Sequence, residues 1–467
     1  MNEFFYKIDP RVRSVLPLAL FFAYVLAFVF EGPAFYSMAE YYGADPIGFV
    51  MVAVTGEFLG LLGGGLFVKS ARMAKLVMLS GMAVCLCATC VFFFPPSGLW
   101  TAAMAVCAVA SGTVNSAWGY FLKIFTPSGQ RIKSSADVLI YSNLLMILVN
   151  FVTIHFSPFI GLASALALIV AAMTFTVALP LEEVEQKTAD APAVSVTAPL
   201  AVLVVFVVVI TINSGLMYQM IVPAYAHLTS LTSWYWAVPY IVAIFVMRNL
   251  SAAAKRSRAL YLGMGMIMGA FILFIMLDRD TVGYIAVDTL MLGACGIFDL
   301  FWWSILGEML DSNDRPARIF GIGISANVFG ILIGNLIALS MDAMALPVTS
   351  VTIVALTVVC VTSMLLPPLN HRLSALLKNH AYLTAFSAMP QAEQRELMCS
   401  APPVEPLTPR EQDVLMQVLR GKTNKAIAED LCIGENTIKT HLRNIYGKYQ
   451  VNSRTQLISM LLKTPER

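Results

Sequence analysis

Twelve apolar runs, each close to twenty residues long, constrain this chain more than any other feature. They fall near 14–31, 46–68, 76–94, 99–122, 137–157, 159–180, 199–222, 233–250, 259–277, 282–305, 319–340 and 346–368. A hydrocarbon core about 30 Å thick is crossed by roughly 20 helical residues. Backbone groups in lipid have no water to bond, so uninterrupted runs of this length are transmembrane helices. Composition agrees: 58% of the 467 residues are hydrophobic, only 12% are charged, and mean hydropathy is +0.76. An average soluble domain carries about 25% charged residues, so a soluble globule, a disordered chain and a disulfide-rich secreted domain are excluded. The first run continues into a full span with no small-residue cleavage site, so no removable signal peptide is expected.

Short-loop Lys and Arg set the direction of insertion. With the N-terminus cytoplasmic, the inner segments carry sixteen: Lys7, Arg11, Arg13, Lys69, Arg72, Lys75, Lys123, Arg131, Lys133, Lys187, Arg248, Lys255, Arg256, Arg258, Arg315 and Arg318. The outer loops carry Arg279 alone. Twelve being even, both termini are expected in the cytoplasm, as in a multi-pass protein of a bacterial inner membrane. The longest outer loop, around 31–46, is too short for a folded domain. An outside signal would therefore be read by the helices themselves.

The spans divide six and six around an acidic, Pro-containing linker, Leu181–Ala198, with Glu182, Glu183, Glu185 and Asp190. Two six-helix halves joined this way resemble the major facilitator architecture. The resemblance implies that spans one, four, seven and ten line a central cavity, and that three, six, nine and twelve face lipid. A charge at the bilayer centre costs at least about 2.5 kcal/mol. Spans three, six, nine and twelve indeed contain no Asp, Glu, Asn, Gln, His, Lys or Arg. The loop after span two resembles the family's GxxxD–GRR signature in degraded form. It reads Gly65-Leu66-Phe67-Val68-Lys69-Ser70-Ala71-Arg72-Met73-Ala74-Lys75, with Lys69 in the acidic position. That loss argues against an ordinary carrier.

Intramembrane polar groups mark the expected ligand site. They are Glu57 in span two, Asp288 and Asp299 in span ten with Trp302 beside them, Asn115 and Trp118 in span four, Tyr218 and Gln219 in span seven, and Tyr24 and Glu31 in span one. Buried acids with few bases at their depth suit a cation or proton, and the aromatics suit a flat or amine-bearing small molecule. Pairing of these groups across the halves is the competing reading. Asn143, Asn150, His155, Asn327 and Asn335 read as inter-helix hydrogen bonds, and Gly60–Gly65, Gly330 and Gly334 as close helix packing. The eight Cys are scattered, most of them in apolar runs. Cys85, Cys87 and Cys90 read as small apolar residues of a helix. No metal site, cofactor or catalytic set is expected, and so no enzyme activity.

The tail has a different character: residues 407–467 hold ten Lys/Arg against six acids. Thr408-Pro409-Arg410-Glu411 opens a helix with an N-cap, a first-position proline and a capping box. Val414, Leu415, Val418 and Leu419 form its apolar stripe and Gly421 ends it. A second helix starts at Thr423 and buries Ala426, Ile427 and Leu431. After a turn at Cys432-Ile433-Gly434, a third helix, 435–449, buries Ile438, Leu442, Ile445 and Tyr446. Its other face shows Asn436, Lys439, Thr440, Arg443 and Gly447. A basic, exposed second helix of a helix-turn-helix is what enters a major groove.

The stretch LTPREQDVLMQVLRGKTNKAIAEDLCIGENTIKTHLRNIYGKYQVNSRTQLI strongly resembles the LuxR/NarL-type DNA-binding domain over about 57 residues. The resemblance implies base contacts from Lys439, Thr440 and Arg443, supported by Asn436. It implies backbone contacts from Thr423, Lys425, Thr437 and Arg454. It also implies a homodimer on double-stranded operator DNA, paired through the last helix, where Leu457, Ile458, Leu461 and Leu462 exceed the needs of one small core. Two positions depart from the family: Gly434 replaces the usual Ser cap, and Gln450 replaces a Gly.

The sequence thus predicts an all-α chain: a twelve-span membrane sensor domain (1–368), a cytoplasmic connector (369–405) with a short surface helix near Arg372–Phe386, and a DNA-binding domain (406–467). The expected function is a membrane-embedded one-component regulator that senses a small molecule and binds operator DNA. A secondary transporter with a regulatory appendage is the alternative. Expected partners are DNA, a small aromatic or cationic ligand and membrane lipid.

Overall fold

The computed structural model describes residues 9–30, 32–180, 197–249, 252–310, 315–388, 403–420, 422, 424–452 and 454–461. It forms two compact units, a helical bundle and a C-terminal unit.

Among the described residues, twelve helices are long and apolar enough to cross a membrane. They are Pro10–Tyr42, Ile47–Phe67, Ala71–Phe93, Gly98–Phe125, Arg131–His155, Pro158–Val177, Thr197–Ala224, Ser230–Asn249, Arg258–Met276, Thr281–Met309, Pro316–Ala343 and Thr349–Leu369; we call them spans one to twelve. Local chemistry fixes where several begin. Asp9, Ser70, Ser97, Ser157 and Asp280 each accept a first-turn amide, as from Gly283 to Asp280 at 2.8 Å. Pro10, Pro33, Pro158 and Pro316 occupy first-turn positions, where a missing N–H is harmless.

Burial follows most of the expected period of three. The central windows of spans one and ten are 78% and 67% buried, against 33% for spans three and six. Span eight departs, at 22%. It buries one narrow stripe, Ala237, Pro239, Tyr240 and Ile244, and leaves Val242, Phe245 and Val246 facing outward. The glycines pack helices closely, as their small size predicts. A Cβ on Gly60 would lie 2.2 Å from the Val109 carbonyl oxygen, and one on Gly334 would lie 2.8 Å from Gly215 Cα.

Three sequence expectations change. The segment expected as an outer loop, around 31–46, is largely helical: Pro33–Tyr42 is a helix, entered at Gly32 and closed by Gly43 at φ +67°. A Cβ at Gly32 would lie 2.2 Å from the Ala27 carbonyl oxygen, so only glycine fits there without a shift. The helix of span twelve also does not stop at Pro367-Pro368 but runs from Val348 to Ala388. Proline's fixed φ is helical, but each proline removes one helical hydrogen bond and its ring crowds the carbonyl four residues earlier, a cost this helix absorbs. Lastly, Asn143 Nδ2 and His155 Nδ1 bond carbonyls of their own helix, Leu139 and Phe151, rather than a neighbour. Asn150 has no hydrogen-bond partner among the described residues.

Spans one and seven, equivalent in the two halves, each change helical pitch in their C-terminal part. Val25–Val29 and Met217–Ile221 are π-helical. Such single-turn widenings recur at functional sites. Tyr24 directly precedes the first, and Tyr218 and Gln219 lie inside the second.

The C-terminal unit contains helices Pro409–Leu419, Asn424–Asp430, Glu435–Lys448 and Arg454–Leu461 around one apolar cluster. The capping box is present: Glu411 N bonds Thr408 Oγ1 at 3.3 Å and Thr408 N bonds Glu411 Oε2 at 2.9 Å. Gln450 adopts φ +51° and Cys432 φ +53°. At Gln450 a non-glycine residue therefore carries a left-handed backbone, a cost of roughly 1 kcal/mol.

The expected dimer face on the last helix is corrected. Leu457, Ile458 and Leu461 are 0–2% exposed and belong to the monomer's own core; Leu462 lies outside the described residues. Met460 is the large apolar residue of that helix that stays exposed. Leu461→Asp should therefore unfold the unit, not merely separate two copies. The expected destabilisation is at least about 3 kcal/mol. Loss of the helical circular-dichroism signal in the isolated tail checks it, and a folded variant with weakened DNA binding would restore the dimer face.

Candidate functional site

The recognition face is built by helix Glu435–Lys448. Ile438, Leu442 and Ile445 anchor one side in the core. Asn436, Thr437, Lys439, Thr440 and Arg443 are all exposed on the remainder. Gly434 caps the helix in extended backbone without a side-chain bond, a loss of only a few tenths of a kcal/mol relative to serine. Thr440 Oγ1 donates to the Asn436 carbonyl at 3.1 Å. Lys439 Nζ lies 2.9 Å from Glu435 Oε1, an exposed pair worth little and easily exchanged for a phosphate or base.

Not every residue expected to contact DNA faces outward. Arg454 turns inward: its Nη2 donates to the carbonyls of Val418 at 3.0 Å and Lys422 at 2.7 Å. Those carbonyls are exposed by the end of helix Pro409–Leu419, so Arg454 ties the last helix to the first. In this geometry Arg454 Nη2 clamps the last helix to the first. Thr423 lies outside the described residues, as does the side chain of Lys425, whose backbone is in helix Asn424–Asp430.

Lys448 and Glu411, absent from the expected site, hold the platform. Lys448 Nζ bonds Glu411 Oε2 at 2.8 Å and the Pro406 carbonyl at 2.9 Å. Burial pushes the Glu411 carboxyl up, but the bonds from Lys448 and Thr408 outweigh it and hold it below the usual glutamate range. A depressed folded value means that the stabilisation is present above the unfolded value, about 4.3, and is lost as pH falls through the folded one. The thermal stability of the tail should accordingly fall as pH drops below about 4.3. Glu411→Gln should flatten that acid limb, and an unchanged limb would assign it to other carboxylates.

In the membrane unit, the expected ligand residues fall into separate knots. Glu57 accepts from Asn115 Nδ2 at 2.9 Å and from Ser111 Oγ, joining spans two and four. Asp299 Oδ2 accepts from Tyr240 Oη at 2.6 Å, joining spans ten and eight. These helix pairs are equivalent in the two halves, so each half carries one carboxyl held by neutral donors. Tyr240 and Ser111 were not expected; a buried hydroxyl gives no sequence signal until its neighbour is known.

The others are placed as follows. Tyr24 Oη meets Thr89 Oγ1 at 2.7 Å. Trp118 Nε1 donates to the Ser14 carbonyl at 2.7 Å, and its ring packs against Trp303 and Phe320. Trp302 stacks on Phe298, and its Nε1 has no partner among the described residues. Asp288 is buried, with Oδ2 likewise unbonded. Tyr218 and Gln219 are half-buried; Glu31 lies outside the described residues. Crevices lined by Cys87 and Leu99, and by His227 and Thr281, include none of these side chains.

Comparison with known proteins agrees with the two units. Residues 405–461 match the family described as bacterial regulatory proteins, luxR family. Over 57 residues the chain is 49% identical to the transcriptional regulatory protein LiaR of Bacillus subtilis, covering 12% of this chain and 27% of that one. It is 47% identical over 53 residues to the monoamine regulon transcriptional regulator of Klebsiella aerogenes, covering 11% and 23%. It is 43% identical over 61 residues to the nitrate/nitrite response regulator NarP of Escherichia coli, covering 13% and 28%. The chain thus spans about a quarter of the length of these relatives. In fold, it is similar to the human organic anion transporter MFSD10, with TM-score 0.62, 15% identity, and coverage of 77% of this chain and 99% of that one. A bacterial homologue of the iron transporter ferroportin gives TM-score 0.55, 11% identity, and coverage of 78% and 98%. The chain is a multi-pass membrane protein of the transporter-like fold that carries a DNA-binding regulatory domain. Residues 405–461 are a LuxR-type helix-turn-helix domain.

Proposed function

We propose that this chain is a one-component transcription regulator of the bacterial inner membrane, with both termini cytoplasmic. Its bundle senses a small molecule and its tail binds operator DNA as a homodimer. One observation carries the reading: a recognition helix with its basic face exposed belongs to the same chain as a bundle holding clasped, baseless carboxyls. Glu57 and Asp299 each accept only neutral donors among their described bonds. A cationic ligand or a proton entering between the halves would compete for them. Asp288 and Trp302 offer buried polar atoms that the fold leaves unbonded, and Trp118, Asn115, Tyr24, Tyr218 and Gln219 supply the surrounding aromatic and amide surface.

A ligand shifts the bundle only if it binds two of its states with different affinity. The π-helical turns beside Tyr24 and around Tyr218 support a binding region near these residues, because such turns recur at functional sites. Binding by the tail alone should be weak and steeply salt-dependent, because each phosphate neutralised releases counterions. Genome-wide mapping of bound DNA tests the regulator reading, followed by reporter assays with substrates of the neighbouring pathway. Absence of any enriched site, together with concentrative uptake by vesicles carrying the chain, would establish the transporter reading instead.

A further inference from the structure

One end of the bundle collects the beginnings of the odd spans and the ends of the even ones, and nearly all of the basic loop residues. Asp137, in the second turn of span five, is buried there, its side chain 6% exposed. Its two oxygens face a guanidinium fork from the other half: Arg248 Nε lies 2.7 Å from Oδ1 and Arg248 Nη2 3.3 Å from Oδ2. Arg11 of span one, in the same half as Asp137, reaches Oδ2 at 3.0 Å. A second contact crosses between the halves at this end: Arg131 Nη1 donates to the Gly307 carbonyl of span ten at 2.8 Å. Spans two and eleven also touch backbone to backbone here, since a Cβ on Gly321 would lie 2.6 Å from Gly65 Cα. By contrast, Glu57 and Asp299 bond only within their own halves.

We infer that Asp137 is an inter-half clasp that holds the basic end shut, with Arg248 as its cross-half partner and Arg11 as the anchor that aims it. Charge counting separates the roles. The bidentate Arg248 fork supplies both strength and direction. Without Arg248, Asp137 keeps Arg11, so span five stays satisfied and only the charged link between the halves is lost. Without Arg11, the cross-half pair survives. Without the Asp137 charge, two guanidinium groups face each other in a partly buried site and repel. Closure is thereby a two-sided contact that opens as a unit, the kind of bistable element on which a ligand acts. Its regulatory meaning rests on the sensor reading above; the clasp itself does not.

Hydrogen exchange of the full chain in lipid nanodiscs, read by mass spectrometry, tests it. Arg248→Gln and Asp137→Asn should each speed exchange at least tenfold in segments 123–137 and 303–310. Arg11→Gln should leave segment 303–310 within about threefold of wild type, and Arg248→Lys should retain part of the protection. The clasp is overturned if Arg248→Gln changes neither segment, or if Arg11→Gln opens both as far as Arg248→Gln does. Should Asp137→Asn fail to fold, the comparison of the two arginine variants decides. A transcription reporter in the same strains keeps the readings apart. An opened basic end with an unaltered reporter response removes the sensor reading and leaves the clasp.

Discussion

Replacing Lys439 and Arg443 by alanine is expected to erase operator selectivity, not only to weaken binding. Both are exposed on a helix whose opposite face, Ile438, Leu442 and Ile445, is locked in the core, so their truncation leaves the fold intact. Base-edge contacts contribute about 1–3 kcal/mol each, or roughly a 5- to 150-fold loss of preference per residue. Glu435→Gln should act oppositely: it frees Lys439 from the 2.9 Å pair and raises affinity for any DNA modestly. Competition binding with operator and scrambled duplexes at fixed salt measures all three. Unchanged selectivity in both alanine variants would move recognition to another face.

The second large effect is expected from Glu57→Gln and Asp299→Asn. Each substitution keeps the size of the side chain and an oxygen able to accept from Asn115 or Tyr240. Each removes the capacity to carry charge, which is the property the sensor reading requires. Ligand-dependent transcription should shift by at least tenfold in effector concentration, or vanish, while DNA binding by the isolated tail stays at wild-type strength. A tenfold shift corresponds to about 1.4 kcal/mol of differential binding. Full response in both variants, or in a chain whose spans are replaced by an unrelated anchor, would sink the sensor.

What was legible beforehand was what is local. Each span is a matter of about twenty successive side chains, and all twelve emerged where the apolar runs lie. The capping box at Thr408–Glu411 and the core stripe Val414, Leu415, Val418 and Leu419 are likewise set by spacings of three and four, which a helix reads directly. Gln450, where the resembled family has glycine, carries a left-handed backbone.

What misled the reading was a short apolar cluster whose partner lies elsewhere in the chain. Leu457, Ile458 and Leu461 are as consistent with a dimer face as with a core. Only the approach of Val414, Val418 and Ile438 makes them core. Arg454 has the composition of a phosphate ligand until the open carbonyls of Val418 and Lys422, more than thirty residues earlier, are brought beneath it.

The sequence by itself determined the number of spans, the division into a membrane part and a basic tail, and the helix expected to enter DNA. Hydropathy, charge and capping act over one helix, and each residue votes independently of distant ones. Tertiary structure alone decided which charges meet. Arg248 and Arg11 served in the sequence only as markers of a basic loop, and Asp137 only as the edge of a span. Packing brings a carboxylate and a guanidinium 111 residues apart to 2.7 Å. A buried ion pair exists only once both partners have left water together.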